Sequence, residues 1–381
     1  MPGHGLPCPG FAAKRYIMLI DELVKFSNFY GSDPSFVLAG GGNTSAKSEG
    51  KMWVKGSGTA LSAITAQGFV EMDLQKLGMI FEKSYPDSDD EREALVLDDL
   101  MASRVPGETK RPSVETMLHA LFPQTYVLHL HPTKINGLTC SKGGESAAEK
   151  LIKRDFIWIE QCRPGYVLSK LCRDKLLAYK TCTGRDCDML LLENHGIFIA
   201  GDDVCELGEK LDFVLSAIDG ALIEEPYFDK TPTCDGETQS ALLSAFPQET
   251  VCAEVPHGVS FRFTQDKASA EDLMRPFTPD HIVYCRAWPL WLEDAESAAQ
   301  GLGAYYELHG FLPRVVLVRG KGAFCLGESE KQAYTAELLL EDATAIAVCA
   351  RSFGGASHMT EELTDFITNW EVEAYRSAQN V

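Results

Sequence analysis

The sequence has no long hydrophobic run and few basic residues relative to its acidic ones. No stretch of about 18 consecutive apolar residues occurs, so no segment is predicted to cross a membrane as a helix. Lysine and arginine number 35 against 55 aspartates and glutamates, which gives a formal net charge of −20. A field of this sign repels phosphate backbones and anionic lipids. The sequence therefore predicts neither nucleic acid nor membrane as a partner, and the start of the chain, which has no secretory leader pattern, predicts a cytoplasmic protein.

Several common motifs are also missing. The 12 cysteines are dispersed and form no Cys-x-x-Cys pair, so we expect reduced side chains that pack as small hydrophobic residues rather than a disulfide framework. The glycine-rich stretches match neither a Walker loop nor a dinucleotide-binding fingerprint. A phosphate, if one binds, must then be held by a different loop.

The order of the predicted elements is that of an α/β protein. Hydrophobic spacing predicts strands that alternate with helices, and it leaves the direction of the strands open. The predicted helices lie at residues 11–30, 113–121, 145–154 and 165–179, and the predicted strands at residues 36–39, 52–55, 126–131 and 188–192. A chain of 381 residues exceeds the size at which one core stops growing, so two domains are predicted. We place their boundary in the turn-rich segment after Gly220, giving domains 1–220 and 221–381.

Two segments have the same pattern. Met189–Gly201 and Val315–Gly327 each contain an apolar strand, a polar three-residue turn, a second apolar strand and a final glycine before a helical run. This match favours an internal duplication, in which Lys321 stands opposite His195. Convergent hairpin chemistry is the alternative.

Three histidines and one glutamate are candidates for metal chemistry. His129 and His131 are two apart on a predicted strand, so both point to one face and can reach one ion. Glu115 lies on the helix before this strand, where it can serve as a proton-transfer group beside a metal, or simply complement the helix dipole. His195 ends another apolar strand, and a third imidazole would leave coordination positions open for a substrate.

Two glycine-rich loops are candidates for phosphate binding. Gly40–Ser45 and Gly56–Gly58 offer backbone N–H groups, small hydroxyls and an amide without bulky side chains. Such groups can hold a phosphate even where the net charge of the protein is adverse. Each loop taken singly is more often a plain turn.

Read in order, the segments GGGNTSAK, VKGSG, PSVETMLH, HLHP and ENHG resemble the class II aldolase/adducin family over about residues 11–219. The likeness is greatest to the aldolase portion of bifunctional rhamnulose-1-phosphate aldolase/lactaldehyde dehydrogenase proteins, through the later FTPDHIV, LPRVVLVRGKGAF and SFGG segments. The resemblance implies an α/β/α sandwich with a central mixed sheet, followed by a C-terminal α/β region. If the two matching segments reflect a duplication, this C-terminal region is a degenerate repeat without metal ligands. Since the sequence ends at Val381, no nicotinamide chemistry is expected of it.

The resemblance also implies roles for residues. His129, His131 and His195 match the ligands of a divalent metal, usually zinc, and Glu115 matches the acid/base, which is also a resting metal ligand. The positions that match the surroundings of the substrate phosphate are Asn43, Thr44, Ser45, Ser57, Gly58 and Ser113. Val114 stands where aldolases of the shorter fuculose-phosphate type have a second serine, so one hydroxyl is missing from that site. His119 matches a frequent family position, for which we expect core packing.

The implied reaction is cleavage of the C3–C4 bond of a ketose 1-phosphate, such as rhamnulose 1-phosphate, to dihydroxyacetone phosphate and an aldehyde such as lactaldehyde. The metal would stabilise the enediolate as a Lewis acid, and Glu115 would protonate it. Similar sites serve sugar-phosphate 4-epimerases, a dehydratase and decarboxylases, so these reactions stay open. A non-enzymatic adducin-like module is disfavoured because all four site residues are present. Family members are commonly ring-like tetramers, which implies a homo-oligomer with a small sugar phosphate as its partner.

Overall fold

The structure is a computed structural model that describes residues 9–226 and 236–370. Its helices are α1 (Pro9–Gly31), α2 (Leu74–Ile80), α3 (Asp89–Ala102), α4 (Thr116–Leu121), α5 (Thr133–Thr139), α6 (Gly144–Leu151), α7 (Tyr166–Thr183), α8 (Val204–Asp219), α9 (Gly236–Ala245), α10 (His257–Ser260), α11 (Pro279–Cys285), α12 (Ala298–His309), α13 (Glu330–Ala350) and α14 (Glu361–Asn369). Its strands are β1 (Asn43–Ser48), β2 (Lys51–Lys55), β3 (Phe69–Asp73), β4 (Tyr126–Leu130), β5 (Ile157–Ile159), β6 (Met189–Leu192), β7 (Gly196–Gly201), β8 (Val251–Glu254), β9 (Leu290–Leu292), β10 (Val315–Val318) and β11 (Gly322–Gly327). No helix in this part of the chain is long and apolar enough to span a membrane.

The described residues form two compact units, which are interleaved in the sequence. The first comprises residues 9–130, 155–191 and 197–213, and the second comprises residues 131–154, 192–196, 214–226 and 236–370. No single cut at residue 220 reproduces these units, and the functional division into domains 1–220 and 221–381 stays a prediction. Part of the predicted boundary segment, residues 227–235, lies outside the described residues.

The first unit is built on a seven-stranded sheet in the order β3-β2-β1-β4-β7-β6-β5. Strand β1 lies between β2 and β4 and is antiparallel to both, and β4, the central strand, pairs antiparallel with β7. All residues of β4, β6 and β7 are buried, as expected for strands covered on both faces. In the register of β1 and β4, Asn43 is the partner of His129, so the predicted phosphate loop and the predicted metal ligands meet at one end of the sheet.

The second unit contains a four-stranded sheet in the order β8-β11-β10-β9, with β9 parallel to β10. Its core includes Val316, Val318, Phe324 and Leu326. Helix α5 packs closely against α13: a Cβ added at Gly137 would lie only 2.2 Å from the Cβ of Cys349, so the close approach requires glycine there. The predicted fold class, a large mixed sheet with a second C-terminal α/β region, is confirmed.

One predicted strand is wrong. Residues 36–39 form turns rather than a strand, with Phe36 and Val37 both donating backbone hydrogen bonds to the carbonyl of Asp33. The strand begins instead at Asn43, where polar residues expected in a loop pair with neighbours on both sides. Central pairing in a sheet outweighs their weak intrinsic preference for strands.

The helix before β4 also starts later than predicted. It begins at Thr116, and Glu115 occupies its N-cap position. The hydroxyl of Ser113, three residues before the helix begins, accepts hydrogen bonds from the side-chain amide of Asn43 and from the backbone N–H of Glu115. The remaining predicted strands and helices are present with shifts of a few residues at their ends.

Candidate metal centre

Four side chains that can bind a metal form one group. Ligand atoms of Glu115, His129, His131 and His195 all lie within 4.8 Å of one another. Three imidazoles and a carboxylate are a donor set typical of zinc and other first-row divalent ions. The residues chosen from the sequence as metal ligands are therefore close together, although their roles stay predictions.

His129 is the most enclosed of the four. It lies on β4 with none of its side chain exposed, and Phe198 of β7 stacks on its ring with a centroid separation of 3.9 Å. Its Nδ1 lies 3.0 Å from the carbonyl oxygen of Ile197. A carbonyl only accepts, so Nδ1 is the donor and Nε2 carries the ring lone pair.

Glu115 holds a defined position at the N-cap of α4. Its Oε1 is 3.0 Å from Nε2 of His129, and its Oε2 accepts a hydrogen bond of 3.2 Å from the amide of Asn43. The same amide donates to Ser113 Oγ at 2.5 Å. The carboxylate is thus oriented by its neighbours, and its side chain keeps 16% exposure.

His131 and His195 lie in the second compact unit. Their ring centroids are 5.2 Å apart. His131 follows the end of β4, and its Nδ1 lies 2.6 Å from Oδ2 of Asp280. His195 is in the turn between β6 and β7, next to Asn194, whose φ is +55°.

The donor set fits a divalent ion on structural grounds. In both His129 and His131 the Nδ1 atom is taken by an oxygen acceptor, which leaves Nε2 as the nitrogen with a lone pair. A hydrogen bond of this kind behind a ligating imidazole is a usual feature of metal sites. Nε2 of His129 and Oε1 of Glu115, 3.0 Å apart, are both acceptors in this arrangement, and a cation or a proton between them removes their repulsion.

The predicted phosphate residues fall into two sets. Asn43 and Ser113 are hydrogen-bonded to each other and to Glu115, so they lie at the edge of the candidate metal centre. Thr44 and Ser45 are completely buried, and their hydroxyls bond to Ser27 Oγ and His119 Nδ1. The contacts of Thr44 and Ser45 are therefore with the core, and their predicted phosphate role stays a prediction.

The second glycine-rich loop lies beside Ser113. Its backbone is joined to residues 111–112 by a hydrogen bond from Ser57 N to Arg111 O and by a bridge between Gly56 and Pro112. Gly58 has a φ of +76°, which glycine adopts without strain. Ser57 and Gly58 are partly exposed.

The burial of Lys55 between these loops was not predicted from the sequence. Its side chain is 4% exposed, and its ammonium group donates to the carbonyl oxygens of Gly40 and Thr59 at 3.0 and 2.9 Å. Lys55 thus ties together the two loops predicted to bind phosphate. A signal existed in the sequence, because the lysine directly precedes Gly56, but a single lysine at the end of a strand does not by itself indicate burial.

His119 belongs to the core, as expected. It is completely buried on α4 and contacts Phe198 edge to face at a centroid distance of 5.4 Å. Burial lowers the pKa of this imidazole well below its usual value. His119 is therefore neutral at physiological pH, and it packs against Phe198, the residue that stacks on His129. All ten cysteines in the described part of the chain are free.

Comparison with known proteins defines the class of this domain. A family model described as the Class II Aldolase and Adducin N-terminal domain matches residues 22–214, which is half of the chain. The chain therefore belongs to the class II aldolase and adducin N-terminal domain family.

Individual relatives are distant. The uncharacterized oxidoreductase YuxG of Bacillus subtilis (strain 168) is 24% identical over 409 residues, an alignment that covers 94% of this chain and 58% of that protein. The chain thus spans a little over half the length of this curated relative. The N-terminal class II aldolase domain of a conserved protein from Thermoplasma acidophilum is 27% identical with a TM-score of 0.45, over 58% of this chain and 96% of that one. For l-fuculose-1-phosphate aldolase from Thermus thermophilus the identity is 15% and the TM-score 0.35, over 53% and 92% of the chains.

Proposed function

We propose that this chain is a divalent-metal-dependent class II aldolase. Its substrate is a ketose 1-phosphate of the rhamnulose 1-phosphate type, and its products are dihydroxyacetone phosphate and an aldehyde such as lactaldehyde. The observation that carries the proposal is the group of Glu115, His129, His131 and His195 within 4.8 Å, in a chain of the class II aldolase and adducin family.

The three imidazoles are the proposed metal ligands. When bound, the cation, for which we propose zinc, supplies a Lewis acid to the carbonyl oxygen of the substrate. A set of three histidines leaves at least one coordination position for that oxygen. Glu115 is a further oxygen donor to the ion in the resting site.

Glu115 is the proposed acid/base. Cleavage of the C3–C4 bond leaves a three-carbon fragment that needs a proton at C3, and a general acid beside that carbon provides it. In the synthetic direction the same carboxylate removes this proton. The hydrogen bond from Asn43 to Oε2 and the proximity of His129 to Oε1 keep the group in one orientation through both steps.

The proposed phosphate site is the edge formed by Asn43, Ser57, Gly58 and Ser113, with Thr44 and Ser45 behind it. Lys55 contributes by holding the two loops in place through Gly40 and Thr59. Backbone N–H groups and small hydroxyls can bind a dianion where the protein as a whole carries a charge of −20, because they act over short distances.

The wider assignments are proposals of the same kind. The length of the YuxG relative, of which this chain matches 58%, is consistent with the aldolase portion of a bifunctional rhamnulose-1-phosphate aldolase/lactaldehyde dehydrogenase. A cytoplasmic homo-oligomer is the proposed form of the protein. The later part of the chain is proposed to have a structural role rather than a second active site.

The test is release of dihydroxyacetone phosphate from a panel of ketose 1-phosphates, with and without chelator and with added zinc. Release that chelator abolishes and zinc restores is the expected result, and the relative rates identify the sugar. Folded, zinc-loaded protein that releases none from any sugar would overturn the aldolase proposal, and the same preparation would then be assayed for epimerisation, dehydration and decarboxylation.

A further inference from the structure

We propose that Asp280, from the later part of the chain, is a positioning residue for the metal ligand His131. The inference rests on the proposed metal site and goes beyond it, because it gives the sequence after residue 220 a defined task in that site. The observation is the contact of 2.6 Å between Asp280 Oδ2 and His131 Nδ1, two residues 149 positions apart in the chain.

The contact is enclosed and charged. The side chains of His131 and Asp280 are 10% and 6% exposed. A carboxylate accepts a hydrogen bond from Nδ1–H, so this bond selects the tautomer whose lone pair is on Nε2, and it fixes the rotation of the ring. Carboxylates behind ligating histidines do this in many metal sites and raise the basicity of the ligand.

Asp280 is itself held rigidly by its neighbours. Thr278 and His281 form a capping box at the start of α11, and Pro279 occupies the first turn. Each of Thr278, Pro279, Asp280 and His281 is buried. In the segment Thr278-Pro-Asp-His281, three residues build the helix start and Asp280 alone reaches the ligand.

A second set of contacts in the same unit supports the turn that carries His195. The side-chain amide of Asn194 donates to the carbonyl oxygens of Phe277 and Ser357, both at 2.8 Å. Phe277 directly precedes the capping box of α11. The segment around residues 277–280 therefore braces both His131 and the neighbour of His195, and a role in orienting metal ligands explains why these contacts converge there.

Asp342 provides a matched control. It is as buried as Asp280, with 9% of its side chain exposed, and it belongs to the same packed region. Its carboxylate accepts a hydrogen bond from Thr133 at 2.5 Å and lies 3.4 Å from Nε2 of His281. These contacts are structural, so replacement of Asp342 reports the cost of losing a buried carboxylate without loss of the bond to His131.

The experiment compares Asp280→Asn, Asp280→Ala and Asp342→Asn with the wild-type protein. The affinity of the metal-free proteins for zinc is measured by competition with a chromophoric chelator, and the cobalt-loaded proteins are compared by their visible absorption. Thermal unfolding of the metal-free proteins reports folding. We expect zinc affinity to fall about 10- to 100-fold in Asp280→Ala, less in Asp280→Asn, which keeps an acceptor, and not in Asp342→Asn. The cobalt spectrum should change only in the two Asp280 variants.

Two results would overturn the inference. One is that Asp280→Ala has the zinc affinity and the cobalt spectrum of the wild type. Wild-type protein that binds no metal would count as the same result, since the variant could then lose nothing. The other is an equal loss of affinity in Asp342→Asn, since this would mean that general destabilisation is the cause. The readouts need no substrate, so wild-type protein that binds zinc but releases no dihydroxyacetone phosphate would reject the proposed reaction while the role of Asp280 is still decided by the affinities.

Discussion

The hairpin of β6 and β7 and the hairpin of β10 and β11 have the same backbone and different chemistry. In each, a strand of four residues is followed by a three-residue turn and a strand of six, and all strand residues are buried. The middle turn residues, Asn194 and Gly320, have φ values of +55° and +63°. The turn of the first hairpin ends in His195 and that of the second in Lys321.

The likeness extends to hydrogen bonds and sheet order. The bond from Ala200 N to Asp188 O corresponds to the bond from Leu326 N to Arg314 O. The strand order β4-β7-β6-β5 corresponds to β8-β11-β10-β9. We interpret the match as the internal duplication predicted from the sequence. It teaches that buried strands and one left-handed turn residue specify the scaffold, whereas single side chains at the turn decide whether a scaffold carries a metal ligand.

The largest expected effect comes from exchanging the residues at the ends of the two turns. His195→Lys puts an ammonium group where we propose an imidazole ligand, so zinc binding should be lost and turnover should fall about 1,000-fold or more. The reverse change, Lys321→His, should create no metal site, because the other ligands are absent there. Metal content and dihydroxyacetone phosphate release check both. Full zinc occupancy in His195→Lys would remove His195 from the ligand set.

Glu115→Gln tests the acid/base role that we assign to the N-cap residue of α4 in the first unit. Glutamine keeps the shape of the side chain and an acceptor oxygen but cannot exchange a proton with the substrate. Turnover should fall about 100- to 10,000-fold while zinc affinity changes little, since three imidazoles remain. Steady-state kinetics and metal analysis of the same preparation provide the measurement. A variant with unchanged turnover would show that another group acts as the acid/base.

The helices after the two hairpins differ by a buried charge. Lys210 of α8 is 1% exposed and lies 2.5 Å from Asp188, 2.7 Å from Glu206 and 2.7 Å from the carbonyl of Ala200, whereas the equivalent position of α13 is Ala336. Lys210→Ala should lower the free energy of unfolding by about 1–3 kcal/mol, because the carbonyl of the buried Ala200 loses its donor. Urea denaturation measures it. Ala336→Gly, the control, should cost only about 0.5–1 kcal/mol, and equal losses would contradict the distinction.

The smallest effect is expected at the left-handed turn residues. Asn194→Gly keeps the backbone conformation but removes the two bonds to Phe277 and Ser357, so we expect a loss of about 1–2 kcal/mol. Gly320→Asn should lower the free energy of unfolding by only a few tenths of a kcal/mol, because asparagine tolerates positive φ. No steric cost is expected, since no atom lies within 4 Å of an added Cβ. Thermal unfolding compares the two variants. A larger loss for Gly320→Asn would mean that the turns are not equivalent.

Local patterns predicted much of the fold and of the site. The strands β4 and β6, the proximity of His129 and His131, and the two similar hairpins all follow from short-range spacing in the sequence. The glycine and proline positions also marked the ends of these elements correctly, because backbone restrictions at those residues act locally.

What the sequence did not predict depends on distant contacts. The strand at Asn43–Ser48 is polar and becomes a strand through its two neighbours in the sheet. Asp280 gave no signal because its partner His131 is 149 residues away, and a single acid in a helical segment is most often a surface residue. Lys55 was missed for the same reason, since burial of its ammonium group depends on loops that fold around it.

The interleaving of the two compact units means that the proposed active site is not a transplantable module. A protein shortened to residues 1–220 would retain all four metal-binding side chains yet lack Asp280, the carbonyl of Ser357 and the helix that packs on Gly137. Gene fusions and domain exchanges that divide the chain at that point would then inherit the ligands without the contacts that we propose orient His131 and support the turn of His195.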